Sequence, residues 1–204
     1  MRYFINNSQR RYVKIKLSIN DMKKQKITFQ SLYQRLLRVT RAHFYLVLAY
    51  FAATIVFDSW NLYTHEVIFK RWLCGGFLAI ITCLVWFGLK RYGKSQKTLA
   101  KLAYVLILAD ILFASLNVYL DRGMASKYIV LFVLPLVVAT QLMRRSVLLA
   151  SAGISAAAYS IATVSYFHIF YGEGYRIQLY GEVGFYCALI FFIALMLMPL
   201  INKE

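Results

Sequence analysis

Six long apolar stretches alternate along the chain with short polar gaps, and basic residues fill every second gap. About 20 mostly apolar residues are enough to cross the hydrocarbon core of a bilayer as a helix. Because lipid offers no hydrogen-bonding partner to backbone groups, only helices and closed barrels cross it. The pattern predicts an all-α integral membrane protein, a bundle of six helices at about 42–60, 72–89, 99–120, 126–143, 146–169 and 182–201.

The 24 lysine and arginine residues are divided unequally between the two sides that this topology defines. Eleven precede Ala42, five lie between Lys90 and Lys101, two follow the fourth stretch and one is in the tail, so 19 face one side and five the other. An excess of basic residues in short loops marks the cytoplasmic side. We therefore predict a multi-pass protein of the inner or plasma membrane with both termini in the cytoplasm.

A net charge of +16 is compatible with nucleic-acid binding as well as with a membrane surface. However, the chain is 61% hydrophobic and 16% charged, whereas soluble domains are about half apolar and about a quarter charged. Since the basic residues follow the membrane topology, we expect no nucleic-acid partner. We assign the basic N-terminal segment to binding anionic lipid headgroups.

The N-terminal region differs from the rest in periodicity. Residues 1–20 include an alternation of apolar and basic side chains, and we interpret them as a mobile or surface-bound tail. Beyond them, apolar residues such as Leu32 and Leu36 recur at helical spacing between basic ones. This predicts a basic amphipathic helix on the inner membrane surface. Residues 1–41 would then be an appendage to a transmembrane domain at 42–204.

The fourth and fifth stretches contain residues that affect helix packing. Pro135 removes one backbone hydrogen bond from the fourth helix, which predicts a kink or hinge. Small side chains recur at every fourth position of the fifth stretch, a spacing that lets helix backbones approach closely in lipid. We expect the fifth helix to be central in the bundle, with a packing face formed by Ala152, Gly153, Ala156, Ala157 and Ser160.

Asp110 is the acidic residue that lies deepest within a predicted span. An ionisable group at that depth is costly and marks a functional candidate. Asn117 shares its helix face, and Asp121 continues the stripe to the outer surface. We expect this face to point into the bundle and to shape a polar site open to the outside. Asp110 would be a hydrogen-bonded tie between helices, a ligand contact or a proton-sensitive switch.

Polar residues in the outer loops form a second group of ligand-binding candidates, namely His65, Asp121, Arg122 and Glu173. One histidine among carboxylates is a weak metal-binding pattern, and we expect no metal and no other cofactor. The sequence contains neither HExxH nor a phosphate-binding loop. We therefore expect no enzymatic activity from this segment.

Three stretches resemble one known family: Asp121 to Ser126, Leu131 to Ala139, and Arg144 to Ala150. They are similar to the six-helix membrane sensor module of bacterial sensor histidine kinases that control pilin and nitrogen genes. That family has Asp/Thr-Gly-Gly-x-x-Ser-Pro in an outer loop, followed by a Leu-Pro-Ile-Ile run and an inner Arg-Arg. In this sequence Arg122 replaces one glycine and Lys127 replaces the proline.

The resemblance implies a signal-input module of a two-component system. Such a module detects a ligand or membrane stimulus and relays it through the sixth helix, which continues into a cytoplasmic helix carrying the phosphorylated histidine. This sequence ends at Glu204. The resemblance therefore implies either the sensor portion of a longer chain, with a kinase region and a second copy as partners, or a stand-alone homologue.

Two other functions are compatible with the sequence. Substrate-binding subunits of vitamin transporters have a similar length and six spans, and the small residues from Ala49 to Ala53 resemble their docking face. A structural membrane partner without a ligand is the third possibility. A reading frame that continues beyond Glu204 into a helix with a phosphorylatable histidine would favour the sensor.

Overall fold

The computed structural model describes residues 7–93, 95–121, 123, 126–171 and 177–201, with side chains from residue 30 onward except at 171 and 177. The regular structure of these residues is helical, which confirms the predicted bundle of six helices. The elements are α1 (Asn7–Ser59), α2 (His65–Tyr92), α3 (Gln96–Leu120), a connecting 3₁₀-helix (Lys127–Phe132), α4 (Val133–Thr140), α5 (Arg145–Tyr171), α6 (Ile177–Leu197) and a final 3₁₀-helix (Met198–Ile201).

Five of the described helices are long and apolar enough to cross a membrane, namely α1, α2, α3, α5 and α6. The connecting 3₁₀-helix and α4 form a shorter apolar segment, Lys127–Thr140. A 3₁₀-helix rises about 2.0 Å per residue, compared with about 1.5 Å in an α-helix. The two short helices together therefore extend about 24 Å, which is close to the hydrocarbon thickness of about 30 Å.

Pro135 lies in the first turn of α4 and not inside a long kinked helix as the sequence predicted. Backbone N–H groups of a first turn have no partner within the helix, so proline fits there without loss of a hydrogen bond. The departure from α geometry precedes Pro135, in the 3₁₀-helix that ends at Phe132. A role for Pro135 as a hinge stays a prediction.

α1 runs without a break from Asn7 to Ser59, so the strand-like alternation near the N-terminus is helical in the structure. Leu32 and Leu36 are buried and pack with Val85 of α2 and Leu99 of α3. At these positions α1 therefore packs against α2 and α3, and its placement on the inner membrane surface stays a prediction. The predicted domain boundary at residue 42 is not marked by any interruption of the helix.

The bundle has two distinguishable ends. At one end, an apolar cluster joins Leu32 and Leu36 of α1 to the end of α2 and the start of α3. Leu142 of the α4–α5 turn packs against this cluster. Basic residues lie along the same end, and we call it the basic end. It carries Lys90, Arg91, Lys97, Lys101, Arg144 and Arg145. We call the opposite end the far end. It holds the α1–α2 connection and the connecting 3₁₀-helix.

α3 is the most buried of the five long apolar helices. It contacts α1, α2, α4 and α5. Half of its apolar window is buried, compared with 44% for α5 and 11% for α6. Polar side chains on the buried face of α3 must therefore find their partners within the bundle, because that face is closed to lipid and water.

The buried face of α5 includes two of the five packing residues predicted from the sequence, Ala152 and Ala156. Ala157 is exposed, and Gly153 and Ser160 are partly buried. A Cβ atom at Gly153 would meet one aromatic ring atom at 3.9 Å, which is ordinary contact. The close backbone approach expected at Gly153 is therefore not formed, because α5 turns a neighbouring stripe of its surface toward the core.

A close approach occurs instead between α1 and α2, at Gly75. A Cβ atom at this position would lie 2.6 Å from the ring of Phe51 and 3.0 Å from that of Tyr50. The adjacent Gly76 has no described atom within 4 Å of the corresponding point. Only glycine at position 75 allows the two rings of α1 to lie against α2.

This contrast predicts different effects for two neighbouring substitutions. Gly75→Leu should destabilise the protein by about 1–3 kcal/mol, because the added side chain overpacks the α1–α2 contact. Gly76→Leu places the same side chain in open space and should leave the unfolding midpoint unchanged. Thermal unfolding of both variants in detergent measures the difference, and equal midpoints would contradict the packing described here.

Candidate functional site

Asp110 forms a buried polar contact between α1 and α3. Its side chain is fully buried, and its carboxyl oxygens lie 3.0 and 3.1 Å from Nε2 of His43. His43 is 4% exposed, and its Nδ1 lies 2.9 Å from the carbonyl oxygen of Val39. In this structure Asp110 is thus a tie between helices. The partner on α1 is not among the residues predicted from the sequence.

Hydrogen-bond chemistry restricts the protonation of this pair. The carbonyl oxygen of Val39 can only accept, so Nδ1 of His43 carries a hydrogen. If Nε2 and the carboxyl group both lacked a proton, two acceptors would face each other at 3.0 Å. One proton therefore lies between them, either on Asp110 or on the imidazole. In both forms the pair has no net charge, which reduces the cost of burying it.

A second contact between α1 and α3 lies two helical turns closer to the far end. The hydroxyl of Tyr50 donates to Oδ1 of Asn117 over 2.7 Å, and Nδ2 of Asn117 donates to the carbonyl of Phe113 over 2.8 Å. Both inter-helix contacts join residues that are 67 positions apart. We call His43, Tyr50, Asp110 and Asn117 the α1–α3 polar ladder.

The ladder is closed, whereas the sequence pattern predicted a site open to the outer surface. Asp110 and Asn117 are both fully buried. As predicted, they point into the bundle from one face of α3, but the rings of His43 and Tyr50 fill the space in front of them. The polar groups satisfy one another, so the ladder joins α1 to α3 and does not line a pocket.

Arg71 of α2 is the centre of a second polar group at the far end. Its side chain is fully buried, with Nη2 lying 3.1 Å from Oδ1 of Asp121 and Nη1 donating to the hydroxyl of Tyr128. The rings of Tyr63 and Tyr128 lie 4.3 and 4.7 Å from the guanidinium carbon. Stacking on aromatic faces and hydrogen bonding to a carboxylate are both typical of arginine.

Asp121 connects Arg71 to the α1–α2 connection. Its Oδ1 also accepts a 2.6 Å hydrogen bond from the hydroxyl of Tyr63, and its Oδ2 accepts one of 3.2 Å from Ser126. Burial, with the hydrogen bond to Asp121, raises the pKa of Tyr63 to about 12. The phenol therefore stays protonated and donates. We call Tyr63, Arg71, Asp121, Ser126 and Tyr128 the Arg71 cluster.

The turn after α3 depends on residues of the motif that carried the sequence resemblance. Gly123 has a φ of +60°, a conformation that favours glycine, and a Cβ atom there would lie 3.0 Å from the ring of Tyr166. The hydroxyl of Ser126 accepts a hydrogen bond from the backbone N–H of Tyr128, at the start of the connecting 3₁₀-helix. The motif thus positions Asp121 and Tyr128 around Arg71.

The other outer-loop candidates are not brought into this cluster. His65 is exposed at the first residue of α2 and takes part in none of the hydrogen bonds around Arg71. Arg122 and Glu173 lie outside the described residues. Within the part of the chain that the structure describes, no three potential metal-ligating side chains come together.

The helix lengths and the buried polar contacts define a multi-pass membrane protein. Its sequence matches the PilS-like transmembrane domain over residues 25–202. The chain therefore belongs to this family, the six-helix membrane sensor module of PilS-type histidine kinases. The resemblance first noticed in three stretches thus extends over most of the chain. No curated protein and no solved structure shows significant similarity to it.

The ladder predicts energetic coupling between His43 and Asp110. His43→Leu or Asp110→Leu alone leaves a buried polar group without its partner, and each should be clearly destabilising. The double variant should be less destabilised than the sum of the two, with a coupling of about 1–2 kcal/mol. Unfolding equilibria in mixed detergent micelles measure this coupling. Strict additivity would mean that the two side chains do not interact.

Proposed function

We propose that this chain is the signal-input module of a two-component sensor and that the Arg71 cluster receives the stimulus. The observation that carries the proposal is a buried guanidinium held by side chains from several separate segments. Arg71 belongs to α2, Asp121 follows α3, Tyr63 lies in the α1–α2 connection and Tyr128 in the connecting 3₁₀-helix. A ligand or membrane change that competes for one of these contacts displaces several elements at once.

A series of aromatic contacts leads from this cluster to the last membrane helix. Tyr128 and Phe132 lie on the same short 3₁₀-helix. The ring of Phe132 packs edge-on against Tyr159 of α5 at 6.0 Å, and Tyr159 packs against Tyr186 of α6 at 5.8 Å. In our proposal a shift of the connecting 3₁₀-helix reaches α6 by this route. A kinase region that follows α6 would supply the catalytic activity.

The α1–α3 polar ladder has a different role in this proposal. Its buried, mutually satisfied contacts hold α1 and α3 in one register, so these two helices act as the frame against which α4, α5 and α6 move. Little of α6 is buried in the bundle, 11% of its apolar window, and its exposed large apolar residues include Phe185, Phe192, Leu195 and Met196. A helix with few buried contacts is displaced at low cost.

The input proposal predicts that Tyr128→Phe alters kinase output. The chain would be joined at Glu204 to a cytoplasmic histidine-kinase region and autophosphorylation followed in membranes. Loss of the hydrogen bond between Tyr128 and Arg71 should change the phosphorylation rate about fivefold or more, the usual size of an allosteric coupling. Tyr45→Phe is the matched control, because Tyr45 is 73% exposed on α1.

Tyr159→Leu interrupts the aromatic route and should also change the output. Size-exclusion profiles of the variants identify any that misfold. If correctly folded Tyr128→Phe and Tyr159→Leu proteins both phosphorylate at the rate of the unsubstituted chain, the Arg71 cluster is not the input.

The proposal also requires the basic end in the cytoplasm, as the charge distribution predicts. In a chain whose Cys74, Cys83 and Cys187 are replaced by alanine, single cysteines would be placed at exposed positions of the two ends. A membrane-impermeant maleimide should label Glu66→Cys in intact cells and Arg144→Cys only after permeabilisation. The reverse pattern would contradict the orientation.

A further inference from the structure

A cavity of about 480 Å³ lies between α3 and α5 in the half of the bundle nearer the basic end. Its volume is within the range of small-molecule sites, about 300–1,000 Å³. Ile107 and Ser151 are buried at its floor, whereas Tyr104, Leu108 and Ile154 are exposed at its rim. The cavity therefore opens sideways, toward the hydrocarbon of the membrane, and neither the α1–α3 polar ladder nor the Arg71 cluster lines it.

The cavity contains a buried hydroxyl without a partner. Ser151 is 3% exposed, and its Oγ makes no hydrogen bond to any part of the chain that the structure describes. Buried serines in helices usually donate to the carbonyl four residues earlier, as Ser160 does with Ala156. A buried hydroxyl left unsatisfied is costly. Of the four such hydroxyls described on α5, the one that lines the cavity is Ser151, so its Oγ is placed to donate to an acceptor of a ligand there.

Exposed cations lie at the end of the cavity nearer the basic end. Ser146 lines the cavity and directly follows Arg144 and Arg145 in the sequence. Lys101 lies one turn before Tyr104 on α3, and residues three apart share a helix face. An apolar groove open to hydrocarbon, with cations at its membrane-surface end, complements a molecule with an apolar chain and an anionic head.

We propose that this groove binds one anionic phospholipid. An acyl chain lies against Ile107, Leu108 and Ile154, and the headgroup phosphate lies beside Lys101 and Arg144. The Ser151 hydroxyl donates to an ester carbonyl. Basic pockets between membrane helices are known to recognise anionic headgroups in this way. A helix of another protein would fill the apolar groove but would offer no anionic head to Lys101 and Arg144. The site is distinct from the basic N-terminal segment and does not depend on the proposed signalling function.

The test uses the purified full chain in neutral detergent, with phosphatidylglycerol or phosphatidylcholine of identical acyl chains added at increasing concentration. Native mass spectrometry counts bound lipids. One phosphatidylglycerol should bind preferentially, and Ala150→Trp should abolish this binding by filling the groove. Ala157→Trp is the matched control, because it places the same side chain on an exposed position of α5. The N-terminal basic segment is present in every variant, so its contribution cancels.

A second pair of variants tests the headgroup contact without altering the groove. Lys101→Gln and Arg144→Gln are at exposed positions, and each should weaken phosphatidylglycerol binding about fivefold. Lys70→Gln removes a cation at the far end and should have no effect. Equal binding of the two lipids, or equal binding by Ala150→Trp and Ala157→Trp, would overturn the proposal. So would a change of oligomeric state in Ala150→Trp with lipid binding retained, since that would make the groove a protein interface.

Discussion

A carboxyl group near the middle of a membrane helix cannot hydrogen-bond to lipid, and the rest of this structure is arranged around that constraint. Asp110 obtains its partner from His43 of α1. This contact sets the offset of 67 residues between α1 and α3, and the same offset brings Tyr50 to Asn117. The rings of Tyr50 and Phe51 on α1 then lie so close to α2 that the facing residue must lack a side chain. That residue is Gly75.

The α1–α3 polar ladder and the Arg71 cluster are connected through α3, because α3 holds Asp110 and Asn117 and is directly followed by Asp121. Asp121 follows Asn117 by one helical turn, so the Arg71 cluster begins where the ladder ends. The ladder is fully buried and its groups satisfy one another, whereas Asp121 and Tyr63 are partly exposed at the far end. The two groups are thus suited to different roles. The ladder fixes two helices, and the cluster is accessible to changes outside the membrane core.

The apolar stretches predicted the number and order of the helices because burial in lipid demands long apolar runs. The sequence also predicted correctly that Asp110 and Asn117 face into the bundle, since helical geometry places them on one side. It missed His43 as the partner because the predicted first span begins at Ala42, which puts His43 at the inner boundary of that span and not at the depth of Asp110. A residue-by-residue pattern would have shown one buried stripe crossing that boundary, formed by Leu32, Leu36, Thr40, His43, Val47, Tyr50 and Thr54.

Other features depend on tertiary contacts that a sequence pattern does not encode. Small residues on α5 form two adjacent stripes, and the pattern alone does not select the one that is buried. Arg71 lies between two predicted spans, where basic residues are ordinary, and its partners, Asp121 and Tyr128, follow 50 and 57 residues later in the sequence. The 3₁₀ geometry before Pro135 likewise depends on how Ser126 caps that segment.

The central claim is that His43 and Asp110 are in direct contact across α1 and α3. Solid-state NMR on the protein in bilayers, with ¹⁵N-labelled histidine and ¹³C-labelled aspartate, measures the separation of Nε2 and the carboxyl carbon. His43→Gln assigns the signal among the three histidines of the chain. The structure predicts a measurable ¹⁵N–¹³C dipolar coupling, because Nε2 lies 3.0 and 3.1 Å from the two oxygens bonded to that carbon. A spectrum without any coupling between His43 and Asp110 would contradict the account.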